Sequence, residues 1–87
     1  MAAYRLRIKV SAAKELEEIG SQLDRRRIVA RIESLADQPR PVGCEKLAGH
    51  DDSFRLRQGN YRIIFTVDDQ TNVVEIIKIG HRREVYR

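Results

Sequence analysis

The stretch SFRLRQGNYRIIF, residues 53–65, decides how this chain folds. Its apolar residues recur at every second position on both sides of a central Gly-Asn pair, which is the pattern of two half-buried β-strands. Glycine and asparagine tolerate the positive φ angles that tight hairpin turns require. The stretch therefore predicts a β-hairpin whose two-residue turn is Gly59 and Asn60.

This turn also fixes how the two predicted strands pair. It places Arg57 opposite Arg62, and Arg55 shares their face of the hairpin. The other face collects the apolar residues Phe54, Leu56, Ile63 and Phe65. Like charges directly opposite each other destabilise a sheet, and we expect no carboxylate on the arginine face to relieve them. The pattern predicts a site that receives an anion, with a solvated sheet face as the alternative.

The composition describes one small basic domain, residues 1–87. The chain has 17 Lys and Arg against 13 Asp and Glu, a balance that permits binding to nucleic acid. It has no run near the ~20 apolar residues of a membrane span and no signal peptide, so we expect a cytoplasmic protein without membrane contact. Its single cysteine, Cys44, has no partner for a disulfide or a metal site, so we expect neither metal nor cofactor.

The rest of the chain completes a predicted α+β fold. Residues 4–10 alternate as a first strand, and two helical patterns follow, the first capped by Ser11 and the second by Ser21. Residues 73–79 are apolar on both faces, which predicts a strand in the interior of the sheet. The order β-α-α-β-β-β indicates a four-stranded, antiparallel-rich sheet with two N-terminal helices packed on one face.

Four segments of the chain, taken together, resemble the RelE/ParE superfamily of toxins from toxin–antitoxin systems. They are YRLRIKVSAAKELEEI, KLAG, FRLRQGNYRIIF and IIKIGHRREVY. The resemblance covers nearly the whole chain, and RLRxGxYRIIF followed by GHRxxVY is its specific part. It implies the RelE-like fold and one of two activities. RelE-like members are ribosome-dependent ribonucleases that cut mRNA in the A site, whereas ParE-like members inhibit DNA gyrase.

The nuclease positions of the RelE-like class are filled here by compatible residue types. The positions are basic residues on the second strand, arginines on the third strand and after the last strand, and a tyrosine near the C-terminus. In this chain they fall on Arg55, Arg57, Arg62, Arg82 and Tyr86. The resemblance therefore favours an endoribonuclease that uses the RNA 2′-hydroxyl as its nucleophile and needs no metal. Because arginine stays protonated, we do not expect the second-strand pair to act as a base.

The chemistry of RNA cleavage suggests a role for each residue of the predicted site. We expect Arg57, Arg62 and Arg82 to hold the scissile phosphate, because arginine can bind two phosphate oxygens. Tyr86 either takes the 2′-proton or stacks on a base, and His81, a water or a ribosomal group serves the leaving oxygen. The alternatives are a lid over the core for Tyr86 and a surface histidine for His81. Further RNA contacts are expected from Arg55, Arg83 and Lys78.

The resemblance also implies partners. They are a cognate RelB-like antitoxin, the ribosome and its mRNA, and, for the toxin–antitoxin complex, operator DNA. Two other functions are compatible with this sequence: inhibition of DNA gyrase on the same fold, and a non-catalytic module that binds nucleic acid.

Overall fold

The computed structural model describes residues 3–49 and 52–81. Within these residues the elements in chain order are β1 Arg5–Ile8, α1 Val10–Glu17, α2 Gln22–Ser34, β2 Glu45–Lys46, β3 Ser53–Gln58, β4 Tyr61–Asp68 and β5 Val73–His81. The strands form one sheet in the order β1-β5-β4-β3-β2. β1 runs parallel to β5, and the other neighbours pair antiparallel. The predicted α+β fold and the interior position of the last strand are confirmed.

The sheet has one strand more than the sequence pattern predicts. β2 contributes only two residues, both exposed, and it pairs with β3 through Glu45 opposite Arg55 and Lys46 opposite Phe54. Two exposed residues carry no hydrophobic alternation, so periodicity could not reveal this strand. Backbone pairing at the edge of the sheet, and not burial of its side chains, defines β2.

The β3–β4 hairpin has the predicted turn and register. Arg57 lies opposite Arg62 and Leu56 lies opposite Ile63. In the turn Gly59 has φ of 60°, whereas Asn60 does not adopt a positive φ. This combination is that of a type II′ turn, in which glycine occupies the first central position.

The starts of the two helices differ in how they are stabilised. The Ser21 hydroxyl accepts a hydrogen bond from the Asp24 backbone N–H at 3.2 Å, which confirms the cap of α2. The cap at Ser11 is wrong, because α1 begins at Val10 with Lys9 as its N-cap residue. The Lys9 backbone N–H donates to the Ile76 carbonyl of β5 at 2.9 Å. The chain therefore passes from the β1–β5 pairing directly into the first helical turn.

The core lies between the helices and one face of the sheet. α1 packs against β5, and α2 packs against β3. Phe54 and Phe65 stack with their ring centroids 5.7 Å apart. The side chains that are most completely buried are Ile28, Leu35, Leu56, Ile63, Phe65, Val74, Ile76 and Ile79. In the part of the chain that the structure describes, no helix has the length and apolar character needed to cross a lipid bilayer.

Candidate active site

The hairpin brings Arg57 and Arg62 together, directly opposite each other on neighbouring strands. Arg57 is exposed, whereas Arg62 is only 8% exposed. On its other side Arg62 lies opposite Gly80 of β5, which has no side chain to occupy the space beside the guanidinium. Arg62 Nη1 also donates a long hydrogen bond of 3.4 Å to the Tyr61 carbonyl. The pair thus combines one packed guanidinium with one that faces solvent.

The third arginine of the hairpin is in contact with a carboxylate. Arg55 Nη2 donates to Glu45 Oε2 at 3.0 Å, from strand β3 to the edge strand β2. The expectation that no carboxylate lies on this face is therefore wrong. It failed because β2, which carries Glu45 into register with Arg55, has no signal in the hydrophobic pattern.

His81 lies on the opposite face of the sheet from the arginine pair. It is the register partner of Tyr61, just as Gly80 is the register partner of Arg62, and successive strand residues point to opposite faces. The rings of Tyr61 and His81 meet edge to face with centroids 5.8 Å apart. Because Tyr61 also packs against the hydrophobic core, this face is the one covered by the helices. The structure therefore does not bring His81 to Arg57 and Arg62.

A cavity of about 510 Å³ opens beside this aromatic pair. It lies between the end of α1 and the β4–β5 pairing. The residues that line it are Glu15, Glu18, Ile19, Gly20, Tyr61, Ile79, Gly80 and His81. Its carboxylates make it a poor place for a phosphate, so it is separate in chemistry as well as in position from the arginine face.

Lys78 forms an ion pair with α1. Its ammonium lies 2.7 Å from Glu15 Oε2, and Glu15 Oε1 accepts the backbone N–H of Ile79 at 3.1 Å. The contact lies at a register shift between β4 and β5. Ile64 is opposite Lys78, whereas the next residue, Phe65, is opposite Ile76. The Lys78 charge is thus engaged in holding α1 to the sheet, and its predicted contact with RNA would compete with that role.

Three residues of the predicted site, Arg82, Arg83 and Tyr86, lie outside the described residues. Their roles stay predictions from the sequence. Within residues 3–49 and 52–81 no group of three or more His, Cys, Asp or Glu side chains is arranged to hold a metal ion.

A second polar cluster lies at the other end of the sheet, beside the turn that joins β4 to β5. Arg40 donates to both carboxylate oxygens of Asp69, at 3.2 and 2.7 Å, and the Tyr4 hydroxyl donates to Asp69 at 2.6 Å. Hydrogen bonds from Arg40 and then Tyr4 lower the pKa of Asp69, and the hydrogen bond to Asp69 raises the pKa of Tyr4. The Arg40 guanidinium lies 5.4 Å from the centre of the Phe54 ring. We call this cluster the Asp69 clamp; it joins three segments that are distant in the chain.

Fold and site together define a small basic α+β domain with two opposed arginines on one hairpin face. Residues 6–86 match the family model described as ParE toxin of type II toxin–antitoxin system. The chain therefore belongs to the RelE/ParE superfamily, whose members are toxins of type II toxin–antitoxin systems.

Named relatives lie on the RelE side of this superfamily. The chain is 33% identical to the mRNA interferase toxin RelE of Escherichia coli, with 97% of this chain and 90% of that protein covered. It is 28% identical to Toxin RelG of Mycobacterium tuberculosis, with 97% of each covered. Its structure matches RelE in the archaeal RelE–RelB complex of Pyrococcus horikoshii with a TM-score of 0.82, at 29% identity over 92% of this chain and 96% of that one. The intact E. coli RelBE complex matches with a TM-score of 0.75, at 31% identity over 91% of this chain and 96% of that one.

Proposed function

We propose that this toxin is a ribosome-dependent endoribonuclease that cuts mRNA in the A site and so stops translation. The observation that carries the proposal is the direct opposition of Arg57 and Arg62 on one face of the hairpin. Such an arrangement is unfavourable for the sheet alone and suits a bound phosphate. The similarity to a protein named mRNA interferase toxin RelE supports the same activity.

The proposed reaction uses the nucleophile that RNA supplies. The 2′-oxygen attacks the adjacent phosphorus, a cyclic phosphate forms, and the 5′-oxygen of the next nucleotide leaves with a proton. Arg57 and Arg62, together with Arg82, hold the phosphate and stabilise the charge that builds on its oxygens in the transition state. Fixed positive groups in such a position contribute a large part of catalysis. The ribosome supplies the remaining alignment of the message.

Proton transfer is assigned to Tyr86 and to a group that the toxin does not supply. Tyr86 is proposed to take the 2′-proton, because arginine guanidinium groups close to a phenol favour its phenolate form. The leaving oxygen receives its proton from a water or a ribosomal group. The mechanism does not use His81, since that ring faces Tyr61 on the helix side of the sheet.

The toxin is proposed to be neutralised by a cognate RelB-like antitoxin. The relatives solved from Pyrococcus horikoshii and Escherichia coli were each crystallised with their RelB partners, and they share this fold. We further propose that the complex with the antitoxin binds operator DNA, and that the toxin acts in the cytoplasm.

The direct test mixes purified toxin with ribosomes programmed on a defined mRNA and maps new 5′ ends by primer extension. We expect cuts in the A-site codon, and we expect them to disappear in Arg57→Ala and Arg82→Ala. Arg27→Ala, at an exposed position on α2, serves as the control because it also removes one positive charge. An uncut message with folded wild-type protein would reject the proposal.

The alternative function is inhibition of DNA gyrase. The matching family model, which is described as a ParE toxin, supports this alternative, although the named relatives are RelE and RelG. A supercoiling assay with purified gyrase separates the two. Inhibition that survives Arg57→Ala, with no cleavage of ribosome-bound mRNA, would favour the gyrase function.

A further inference from the structure

The carboxylate of Glu15 binds the end of β5 in a way that the proposed reaction does not use. Its Oε1 accepts the backbone N–H of Ile79 at 3.1 Å, and its Oε2 lies 2.7 Å from the ammonium of Lys78. Glu15 lies in α1, so one side chain of the helix holds both the backbone and a side chain of the strand. The Glu15 side chain is 28% exposed, and these bonds are therefore partly shielded from water.

This contact lies where β5 has passed the end of its neighbour β1. β1 pairs with β5 as far as Ile8 opposite Ile76, and the Lys9 backbone N–H then donates to the Ile76 carbonyl as the chain enters α1. Beyond Ile76, this side of β5 has no strand beside it within the described residues. Backbone N–H groups that are shielded from water need an acceptor. The Glu15 carboxylate supplies one where the strand has ended.

The contact also lies directly after a β-bulge in β5. Ile77 is the extra residue of the bulge, because the pairing with consecutive residues of β4 passes from Ile76 to Lys78. Ile77 and Lys78 are both half-buried, whereas the preceding residues of the strand alternate between half-buried and buried. The bulge therefore moves every later residue of β5 by one position along β4.

The moved residues include the neighbour of Arg62. Gly80 lies opposite Arg62 in the bulged pairing, whereas in a regular pairing Ile79 would take that position and would share the face of the guanidinium. The Cβ atoms of cross-strand partners are only about 5 Å apart, so an isoleucine there would compete with the guanidinium for the same space. The register at the end of β5 thus determines how the buried Arg62 is oriented.

We propose that Glu15 is a positioning residue for the cleavage reaction: its carboxylate holds β5 in the bulged register and so keeps Gly80 beside Arg62. This inference rests on the proposed nuclease function for its effect on cleavage, whereas the hold on β5 is a property of the fold. The bond to the Ile79 N–H carries the effect, because that group belongs to the strand itself. The ion pair with Lys78 reaches the strand only through a flexible side chain.

The hold on β5 is measured without RNA, by amide hydrogen exchange in two-dimensional NMR spectra. Glu15→Ala should speed the exchange of the Ile79 amide by about tenfold relative to that of Val74 on the same strand, as expected for the loss of one hydrogen bond. Glu15→Gln keeps an oxygen that accepts the bond, and Lys78→Met removes only the ion pair, so both should keep Ile79 protected. Equal relative exchange of Ile79 in Glu15→Ala and the wild type would overturn the proposal.

The cleavage test separates positioning from stability. With toxin in excess over programmed ribosomes, Glu15→Ala should lower the maximal single-turnover rate by about tenfold or more, because a displaced catalytic group is less well aligned. The toxin concentration that gives half of this rate should stay unchanged, since no proposed contact with RNA is lost. Glu15→Gln should restore most of the rate.

Ile28→Val is the matched control for stability. It removes one buried methyl group from α2 and should lower stability while cutting at the wild-type rate. A maximal rate of folded Glu15→Ala equal to that of Ile28→Val would overturn the positioning role, even if Ile79 exchanges faster. If the wild type does not cut at all, the proposed function fails, while the exchange of Ile79 still decides whether Glu15 holds β5.

Discussion

Arg57 and Arg62 face each other, yet they differ in a way that separates catalysis from stability. Arg57 is exposed, so its removal takes away charge and little packing. Arg62 is almost completely buried, and its aliphatic stem contributes packing as well as charge. The same substitution should therefore have different effects at the two positions.

We predict that Arg57→Ala lowers the single-turnover cleavage rate by about 10²-fold, the usual cost of losing one group that stabilises the transition state. Its free energy of unfolding should stay within about 0.5 kcal/mol of the wild type, as is common for exposed positions. Arg62→Ala should lower both the rate and the free energy of unfolding, the latter by roughly 1–3 kcal/mol. Cleavage assays and urea unfolding on the same samples measure both effects. Full activity in folded Arg57→Ala would exclude that side chain from the reaction.

Tyr86 allows a sharper test, because one atom distinguishes its two proposed roles. Tyr86→Phe keeps a ring that can stack on a base and removes the hydroxyl that would take the 2′-proton. If the hydroxyl transfers the proton, the single-turnover rate should fall by ~10²-fold or more. An unchanged rate would leave stacking as the role of this residue. His81→Gln is the matched comparison, and we expect it to cut at the wild-type rate because its ring lies on the helix side of the sheet.

At the scale of single elements, the β3–β4 turn determines which side chains form the site. A shift of one residue in this hairpin would move the arginines to the core face and the phenylalanines to the surface. Gly59 holds the turn with a φ of 60°, a conformation that costs other L-residues roughly 1–2 kcal/mol.

Gly59→Ala should therefore lower the free energy of unfolding by about 1–2 kcal/mol. Gly20 is the control position, because it has no positive φ and a Cβ added there would meet nothing within 4 Å. Gly20→Ala should leave stability nearly unchanged. Thermal or urea unfolding of the two variants measures the difference, and equal stabilities would show that the turn conformation is not under strain from a side chain.

The elements that could be predicted are those with a strong periodic pattern or specific turn chemistry. The hairpin register followed from a Gly-Asn turn and four apolar residues, and the interior position of β5 followed from a strand apolar on both faces. β2 could not be found, because two exposed residues have no period. Because β2 was not predicted, the contact between Glu45 and Arg55 was not predicted either. The face of His81 depends on the register between β4 and β5, which the sequence pattern did not settle.

At the scale of the whole molecule, the Asp69 clamp joins the start of β1, the segment before β2 and the β4–β5 turn. It orders the chain where α2 has ended and before the edge strand begins, since Arg40 is fixed both to Asp69 and over the Phe54 ring. These contacts are exposed to solvent, so each is weakened by salt. Because Asp69 carries the negative charge of the clamp, the contribution of the clamp to stability should depend on pH.

The pKa of Asp69 is lowered by Arg40 and Tyr4, so its ionised form is favoured by folding. Its contribution to stability is present above the ordinary carboxyl pKa of about 3.9 and is lost as the pH falls through the lower folded value. Asp69→Asn should have a lower melting temperature than the wild type at pH 7, and the difference should shrink below about pH 4. Melting curves from pH 3 to pH 8 test this expectation. A difference in melting temperature that does not change with pH would show that the ionisation of Asp69 does not contribute to the stability of the protein.

The position of β5 has a consequence for how the protein is made. β5 is the last described strand along the chain, yet it lies between β1 and β4. A nascent chain that has not yet released β5 from the ribosomal tunnel lacks the strand that joins β1 to β4, and it lacks Gly80 beside Arg62. The sheet around the β3–β4 hairpin is therefore incomplete while those residues are still being synthesised. For a toxin proposed to act on ribosomes, this order of synthesis would keep the nascent molecule inactive toward the ribosome that is producing it.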